Sequence, residues 1–514
     1  MCGIFALLNY NEITPLIREC FKNGENRGPE NSKLKIYNKN IIGFHRLAIN
    51  GLNDLSDQPL NINGIILICN GEIYNFRELE KDNNISLTSN SDCEIIIHLY
   101  LLYGLEYTLN ILDGVFGFVL YDTNKHICYI ARDPYGVRSL YYFIDNINNN
   151  DNKNDNKNDN KNIKIGFASE LKSLYKLCNN KAKLLQFTPG SYTEINCGND
   201  EFTNYSIIKQ NVKYTTFPCR KNLYLNTTIN FLNTEIYENL NNAVRKRVEG
   251  TTDRPIACLL SGGLDSSLIC ALVNQYYKNI DHRLETYSIG LHNSEDLKYA
   301  RIVATYLNTD HHEIIVSEED FFNAIPEVIN AIESYDTTTV RASVGNYLVA
   351  KYIKEHSEAK VIFNGDGADE LMGGYLYFHK APNATEFDKE CQRLLNDIYV
   401  FDVLRSDKSI SSNGLEPRTP FLDRKWVEFY LNISKNIRYH SGNSKCEKFL
   451  IRNAIQEIDP MLLPEAILWR TKEAFSDGVS GLHRSWFTII NENIEKLCIN
   501  NNKLEELLKY NITV

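Results

Sequence analysis

Residues 255–267 read PIACLLSGGLDSS: an apolar run breaks into two glycines and an aspartate among hydroxyl residues, and SSLICALV then opens a helix. An apolar strand that ends in a glycine turn and re-enters a helix gathers backbone N–H groups and the positive end of a helix dipole at one point, which is an anion site. The lysine of GxxxxGK[ST] is missing, so this is not a Walker loop. Gly262 and Gly263 let the backbone approach an anion closely, and Ser261, Ser266 and Ser267 offer hydroxyl donors. Asp265 offers a hard oxygen for a magnesium ion bridging phosphates. The stretch is read as a loop on which ATP is cleaved to AMP and pyrophosphate. A lone SGG would serve equally as a turn between strand and helix; seven residues in this order favour the phosphate site.

Working outward, the loop lies in a repeating pattern. A helix, TEIYENLNNAVRKRV, precedes it. Helix SSLICALVNQYY, strand ETYSIG, helix DLKYARIVATYL and strand HHEIIV follow in βαβαβ order, which predicts a doubly wound, mostly parallel sheet. Ligands in such sheets sit beyond the carboxyl ends of the strands. The same rule places Asn364-Gly365-Asp366-Gly367-Ala368-Asp369-Glu370, after strand KVIF, beside the first loop, with Asp369 and Asp265 sharing magnesium on the pyrophosphate. A solvated acidic loop is the alternative. His311-His312-Glu313 lies in a strand with no second His at helical spacing and is read as structural.

The chain has 514 residues, enough for two large domains or three of ordinary size. Its 43% hydrophobic and 23% charged content is that of globular proteins. A net charge of −10, with no basic run interleaved with aromatics, disfavours nucleic acid and favours small-molecule substrates. The thirteen cysteines include no CxxC, which fits a reducing compartment. No apolar run has bilayer length, and MCGIFALL lacks a basic n-region, so neither membrane nor signal peptide is expected and the cytosol is the expected location. The oligomeric state is open, a homodimer included.

Cys2 follows a removable initiator methionine. Processing would leave a thiol and a free α-amine on one residue; the amine titrates near neutrality and can take the thiol's proton, as in Ntn hydrolases with Thr or Ser. GIFALL, IIGFHRLAI and IILICNGEIYNF read as buried strands, strands dominate to about Tyr205, and helices fall near 15–23, 76–82 and 93–104. A layered αββα arrangement would cover both faces of two packed sheets. Residues 148–162, a repeat of Asn-Asp-Asn-Lys units, hold no residue able to join a core and read as a disordered insertion at a hairpin tip. Residues 206–231, without periodicity, read as a linker between domains 1–205 and 232–514.

Cys2-Gly3-Ile4, Arg27-Gly28-Pro29, His45-Arg46-Leu47, Asn70-Gly71-Glu72-Ile73-Tyr74-Asn75, Ser91-Asp92, Asp113-Gly114-Val115-Phe116-Gly117 and Arg132-Asp133-Pro134-Tyr135-Gly136 together resemble the class II glutamine amidotransferase domain. The resemblance implies that Cys2 attacks the glutamine amide while Asn70 and the Gly71 N–H hold the oxyanion. It also implies that Arg46, Leu47, Ala48, Ile49, Asn50, Glu72 and Asp92 bind glutamine, Arg46 at its α-carboxylate and Glu72 and Asp92 at its α-ammonium. The chain departs from the family pattern at Asn26, Glu30, Asn90 and Ser139, where His, Asp, Gly and Pro are usual; Asn90 tolerates a left-handed turn.

The second half, with SGGLDSS, Tyr335-Asp336-Thr337-Thr338-Thr339-Val340-Arg341-Ala342-Ser343, GGYLYFHKAPNA, Pro420-Phe421-Leu422-Asp423 and Lys472-Glu473-Ala474-Phe475-Ser476-Asp477-Gly478, resembles glutamine-hydrolysing asparagine synthetases. That resemblance implies an ATP-pyrophosphatase (adenine nucleotide alpha hydrolase-like) domain, with L-aspartate, L-glutamine and ATP as substrates and Mg2+. Aspartate would attack the α-phosphate of ATP, and ammonia, reaching it through a dry interdomain tunnel, would displace AMP from β-aspartyl-AMP. Leu259, Ile289, Asn364 and Gly365 would line the nucleotide, Lys472 neutralise the phosphates, and Arg341 and Glu370 place aspartate and the adenylate. Asp366, often Glu in the family, would stand as a base for ammonia. The family usually continues beyond the point matching Val514, and this chain is expected to do without that segment. One rival is an enzyme of the same architecture acting on another carboxylate, as β-lactam synthetases do without the terminal cysteine. Another is a catalytically silent homologue, which should have lost Cys2, Asp265 or Lys472.

Overall fold

The computed structural model describes residues 1–146, 163–198, 204–215, 228–277, 282–440, 445–472, 479–480 and 485–500. Within these, the first 215 residues form strands β1 (Gly3–Leu8), β2 (Asn31–Tyr37), β3 (Asn40–Arg46), β4 (Leu60–Ile62), β5 (Ile65–Ile73), β6 (Gly114–Asp122), β7 (Ile127–Arg132), β8 (Tyr141–Asn146), β9 (Ile163–Ala168), β10 (Leu185–Gln186), β11 (Ser191–Asn196) and β12 (Ser206–Lys213). They make two antiparallel six-stranded sheets, ordered β10-β8-β9-β1-β3-β2 and β12-β11-β7-β6-β5-β4.

The strand GIFALL shows why the sheets stack. All six residues are buried, because successive side chains point to opposite faces and both faces are covered. Ile4, Ala6 and Leu8 face Ile66, Ile68, Val119 and Ile130 of the other sheet. Phe5 and Leu7 face the helix Pro15–Lys22 through Ile17, Cys20 and Phe21. On the far side, Leu67, Cys69, Phe116 and Phe118 pack on the helix Ile95–Tyr103. The result is the αββα sandwich expected from the sequence. β8 and β9 pair from Tyr141↔Ala168 to Asn146↔Ile163, so the Asn/Lys-rich repeat joins the two strands of a hairpin; its own residues lie outside those described.

The expected linker begins too early. Ser206–Lys213 pairs with β11 as the sheet's edge strand; its side chains are only half-buried, so it carries little hydrophobic signal. At the other end, the helix Ile229–Glu249 opens before Leu232, with Thr228 capping the Phe231 N–H.

The second half contributes β13 (Ile256–Leu259), β14 (Glu285–Leu291), β15 (Asp310–Val316), β16 (Val361–Phe363) and β17 (Glu416–Arg418), a parallel sheet ordered β15-β14-β13-β16-β17. Cys258 faces helices Ile229–Glu249 and Leu264–Tyr276, while Ala257 faces helix Thr337–His356. Helices on both faces make the strands near-continuous apolar runs. Chain order reverses about β13, since β14 lies on one side of it and β16 on the other. That switch point is where doubly wound sheets hold ligands. No described helix is long and apolar enough to cross a membrane.

Candidate active sites

The first site lies where β1 begins and β3 and β5 end. β1 starts with Gly3 opposite His45, which sets Cys2 beside the chain leaving β3. Cys2 Sγ donates to the Leu47 carbonyl at 3.5 Å. Burial pushes the thiol up to about 11, against the opposing pull of the nearby amino terminus. Met1, fully buried, precedes it, with its amine 3.3 Å from the Leu415 carbonyl, and burial lowers that amine to about 5.

Asn70 sits on β5, 1% exposed, and neither its Oδ1 nor its Nδ2 has a hydrogen-bond partner. Leaving such groups unpaired costs about 1–3 kcal/mol each, so a folded protein retains them where a ligand completes the bond. At Gly71 a Cβ would come within 2.5 Å of the Val115 carbonyl oxygen, so glycine is what lets β5 and β6 pair here. Glu72 accepts from Asn50 Nδ2 at 2.7 Å and lies 3.3 Å from the Arg418 guanidinium of β17. Burial raises Glu72 well above the usual carboxylate range, and raises Asp92 to about 6 although Asp92 accepts the Ile73 N–H at 2.7 Å.

Arg46 is committed within its own loop. It donates to Asp57 at 2.5 Å, to the Asn53 carbonyl at 3.0 Å and to the Gly51 carbonyl. Leu47, Ala48 and Ile49, which follow it, are buried. Of the departures from the family pattern, Ser139 donates to the Ser169 carbonyl at 2.8 Å and to Asp407 at 3.3 Å, tying the halves together. Asn90 is not among the residues of left-handed φ, contrary to the turn expected there. The segment is held instead by Glu94, whose carboxylate accepts from Thr88 and Ser89.

The second site is a cavity of about 350 Å³ at the carboxyl ends of β13, β14 and β16. Leu259, Ser261, Gly263, Asp265, Ser266, Ile289, Asn364 and Gly365 all line it, as do Asp366, Asp369, Glu370, Arg341 and Lys472. Gly262 does not. Its φ is +72°, and a Cβ there would meet the Ala300 nitrogen at 2.4 Å, so it packs the loop against helix Glu295–Leu307. Gly365 has the same use toward the first loop: a Cβ would lie 2.9 Å from the Ser266 nitrogen. Within the loop, Ser266 Oγ accepts from the Ser261 N–H at 3.2 Å and Ser261 Oγ from the Gly263 N–H at 3.4 Å. Helix Leu264–Tyr276 begins with no side-chain cap, so its positive end faces the cavity.

The charges in this cavity are strongly paired. Lys472 reaches Asp369 at 2.6 Å and Asp265 at 3.9 Å. Lys448, which sequence reasoning missed, is 1% exposed and lies 2.5 Å from both Asp265 and Asp369. Burial alone would raise Asp369, but the two ammonium groups outweigh it and hold the carboxyl far below its usual range. Glu370 moves the other way: burial, with Asp402 and Asp369 nearby, raises it well above normal, and it accepts a bond from Tyr375. Asp366 pairs with Arg405 at 2.9 Å, and Arg341 Nε is buried without a partner. Residues 473–478 of the Lys472 motif lie outside those described. His311 Nδ1 and Nε2 meet Thr286 at 2.9 Å and Ser288 at 3.1 Å.

Asp265 Oδ1 is buried without a hydrogen bond. Together with Asp369 it offers the pair of hard oxygens that Mg2+ takes from protein when phosphates supply the rest. Among the described residues no third His, Cys, Asp or Glu joins them. The donor set fits Mg2+ shared with a phosphate chain.

An αββα sandwich with cysteine near its start, joined to a parallel sheet with a pyrophosphate-type loop at its switch point, defines a glutamine amidotransferase fused to an ATP-pyrophosphatase-type synthetase. The model of the glutamine amidotransferase domain matches residues 1–217, and that of asparagine synthase matches residues 235–386 and 380–512. The chain is 38% identical to the glutamine-hydrolysing asparagine synthetase of Gallus gallus, over 96% of this chain and 88% of that one. Against that of Homo sapiens it is 36% identical, over 96% and 87%. Among solved structures, the glutamine phosphoribosylpyrophosphate amidotransferase of B. subtilis covers 61% of this chain and 81% of its own at 16% identity, with a TM-score of 0.32. The chain belongs to the asparagine synthase family.

Proposed function

We propose that the chain makes asparagine from aspartate, using glutamine as nitrogen donor and ATP as energy source, with the work divided between two sites. In the first, Cys2 attacks the glutamine amide. A buried thiol near 11 is a poor nucleophile, so the reactive form is the one in which Met1 is gone and Cys2 carries its own amine. The unpaired Asn70 carboxamide and the Gly71 N–H receive the oxyanion. Glu72 and Asp92 hold the substrate ammonium, whose charge draws both carboxyls back toward ionisation. Arg46, bound to Asp57, acts by shaping the loop 47–51, and takes the α-carboxylate through whatever N–H capacity Asp57 leaves.

In the second site the loop 261–267 and helix Leu264–Tyr276 hold the phosphates, and Lys472 with Lys448 neutralises charge as pyrophosphate leaves. Mg2+, held by Asp265 and Asp369, would add Lewis-acid neutralisation of the phosphate oxygens. Aspartate's carboxylate displaces pyrophosphate to give β-aspartyl-AMP, and ammonia displaces AMP. Glu370, whose burial beside Asp402 and Asp369 favours the neutral carboxyl, donates to the substrate rather than repelling it. Asp366, paired with Arg405, takes the proton that ammonia loses. The first domain extends through β12, with the join in residues 214–228, and the cytosol is the proposed setting because the eleven cysteines whose side chains are described are free thiols.

The observation that carries this reading is the unpaired, buried Asn70 carboxamide on β5, in the same chain as Cys2 and as the paired aspartates and lysines of the second site. The test supplies aspartate, ATP and Mg2+ with either glutamine or ammonium and measures asparagine and pyrophosphate. Both nitrogen sources should give asparagine and pyrophosphate in equal amounts. Pyrophosphate without asparagine would refute aspartate as the acceptor.

A further inference from the structure

The loop that follows β3 is held from the other half of the molecule. The Ala48 peptide is gripped on both sides: Glu30 Oε2 accepts its N–H at 2.7 Å, and Arg254 Nε donates to its carbonyl at 2.8 Å. Arg254 Nη2 and Glu30 Oε1 close the ring at 2.7 Å. Two further bonds run the same way, from Asn50 Nδ2 to the Gly250 carbonyl and from the Gly51 N–H to Asp253 Oδ2, each 2.9 Å. Residues 250–254 stand immediately before β13, the strand that ends in the phosphate loop. Glu30 is also the position where the family pattern has the shorter Asp, and its two oxygens here serve different partners.

What the bracket holds is chemical machinery. The Leu47 carbonyl, one residue away, accepts from Cys2 Sγ, and Asn50 also donates to Glu72. Within β3 the backbone is fixed by sheet partners; beyond Arg46 the Ala48 N–H and carbonyl have Glu30 and Arg254 instead. We infer that Arg254, with Glu30, is a positioning residue for the glutaminase reaction, supplied by the synthetase half. It sets the Cys2 and Glu72 partners in register and makes glutamine use depend on the seating of β13. This rests on the two-site reading above.

A lost charge-assisted hydrogen bond amounts to about a 10- to 100-fold change. Arg254→Ala should therefore lower kcat/KM for glutamine by roughly 10- to 100-fold, chiefly through KM. Ammonium-driven asparagine synthesis and KM for ATP should stay within about twofold, since Arg254 is not among the described residues that line the nucleotide cavity. Glu30→Gln should act in the same direction, and the double variant should be no worse than Arg254→Ala by more than about twofold, because one ring is broken once. Equal loss of both nitrogen routes, no loss in either, or additive effects in the double variant would each overturn the proposal. A wild-type protein that makes no asparagine from ammonium would instead sink the two-site reading, so the two failures are distinguishable.

Discussion

Replacing Lys448 by methionine removes the ammonium that lies 2.5 Å from both Asp265 and Asp369 and leaves a side chain of similar length. Breaking a buried ion pair by removing one partner costs about 3–5 kcal/mol, because the remaining charge stays out of water. The low end applies here. Lys472 remains 2.6 Å from Asp369 and 3.9 Å from Asp265, and the two carboxylates are 16% and 15% exposed. At about 3 kcal/mol and roughly 2 °C per kcal/mol for a domain of this size, the synthetase transition should fall by roughly 6 °C. Scanning calorimetry reads this directly, with the glutaminase transition as internal reference. Adding Asp265→Asn to Lys448→Met should return part of the loss, since it removes the charge left least compensated. A transition within 1 °C of wild type for Lys448→Met, at a resolution of about 0.5 °C, would refute the account. So would a double variant less stable than the single one.

Cys2→Ala should abolish glutamine-driven synthesis while ammonium-driven synthesis survives, whereas Asp265→Asn should end pyrophosphate release and synthesis from either nitrogen source but spare glutaminase activity; both are read by product analysis. Asp92, raised to about 6 by burial, gives a pH signature. It is protonated below that value and anionic above it, so kcat/KM for glutamine should fall as pH drops through about 6, and the inflection should shift in Asp92→Asn, where Glu72 is the carboxyl that remains. Gly365→Ala forces a methyl to within 2.9 Å of the Ser266 nitrogen. The two loops must separate, and pyrophosphate release should fall by about 100-fold with glutaminase activity intact.

The glycines of SGGLDSS were legible in sequence because a glycine turn between an apolar strand and a helix is a local pattern. The structure splits their roles, however: Gly263 lines the cavity while Gly262 packs the loop against the helix Glu295–Leu307. The αββα layers were legible in GIFALL because a strand apolar on both faces requires cover on both. β12 was missed because an edge strand with half-buried side chains has no alternation to display. The helix Leu105–Ile111 was missed as well: the expected helix stopped at Gly104 and nothing was placed after it. Lys448 carried no signal: it stands in a polar stretch, close to Lys445 and Glu447, before the helix Phe449–Ile458.

By itself the sequence determined the two chemistries, since a thiol at position 2 and a glycine-rich loop with Asp265 owe their reactivity to residue type and to neighbours in the chain. Tertiary structure alone decided which charges face one another. Lys448 and Asp265 are separated by 183 positions and Arg254 and Glu30 by 224, yet each pair is in direct contact. An ion pair depends on distance in space, and a charge leaves no periodic trace in the chain to say which distant residue it will meet.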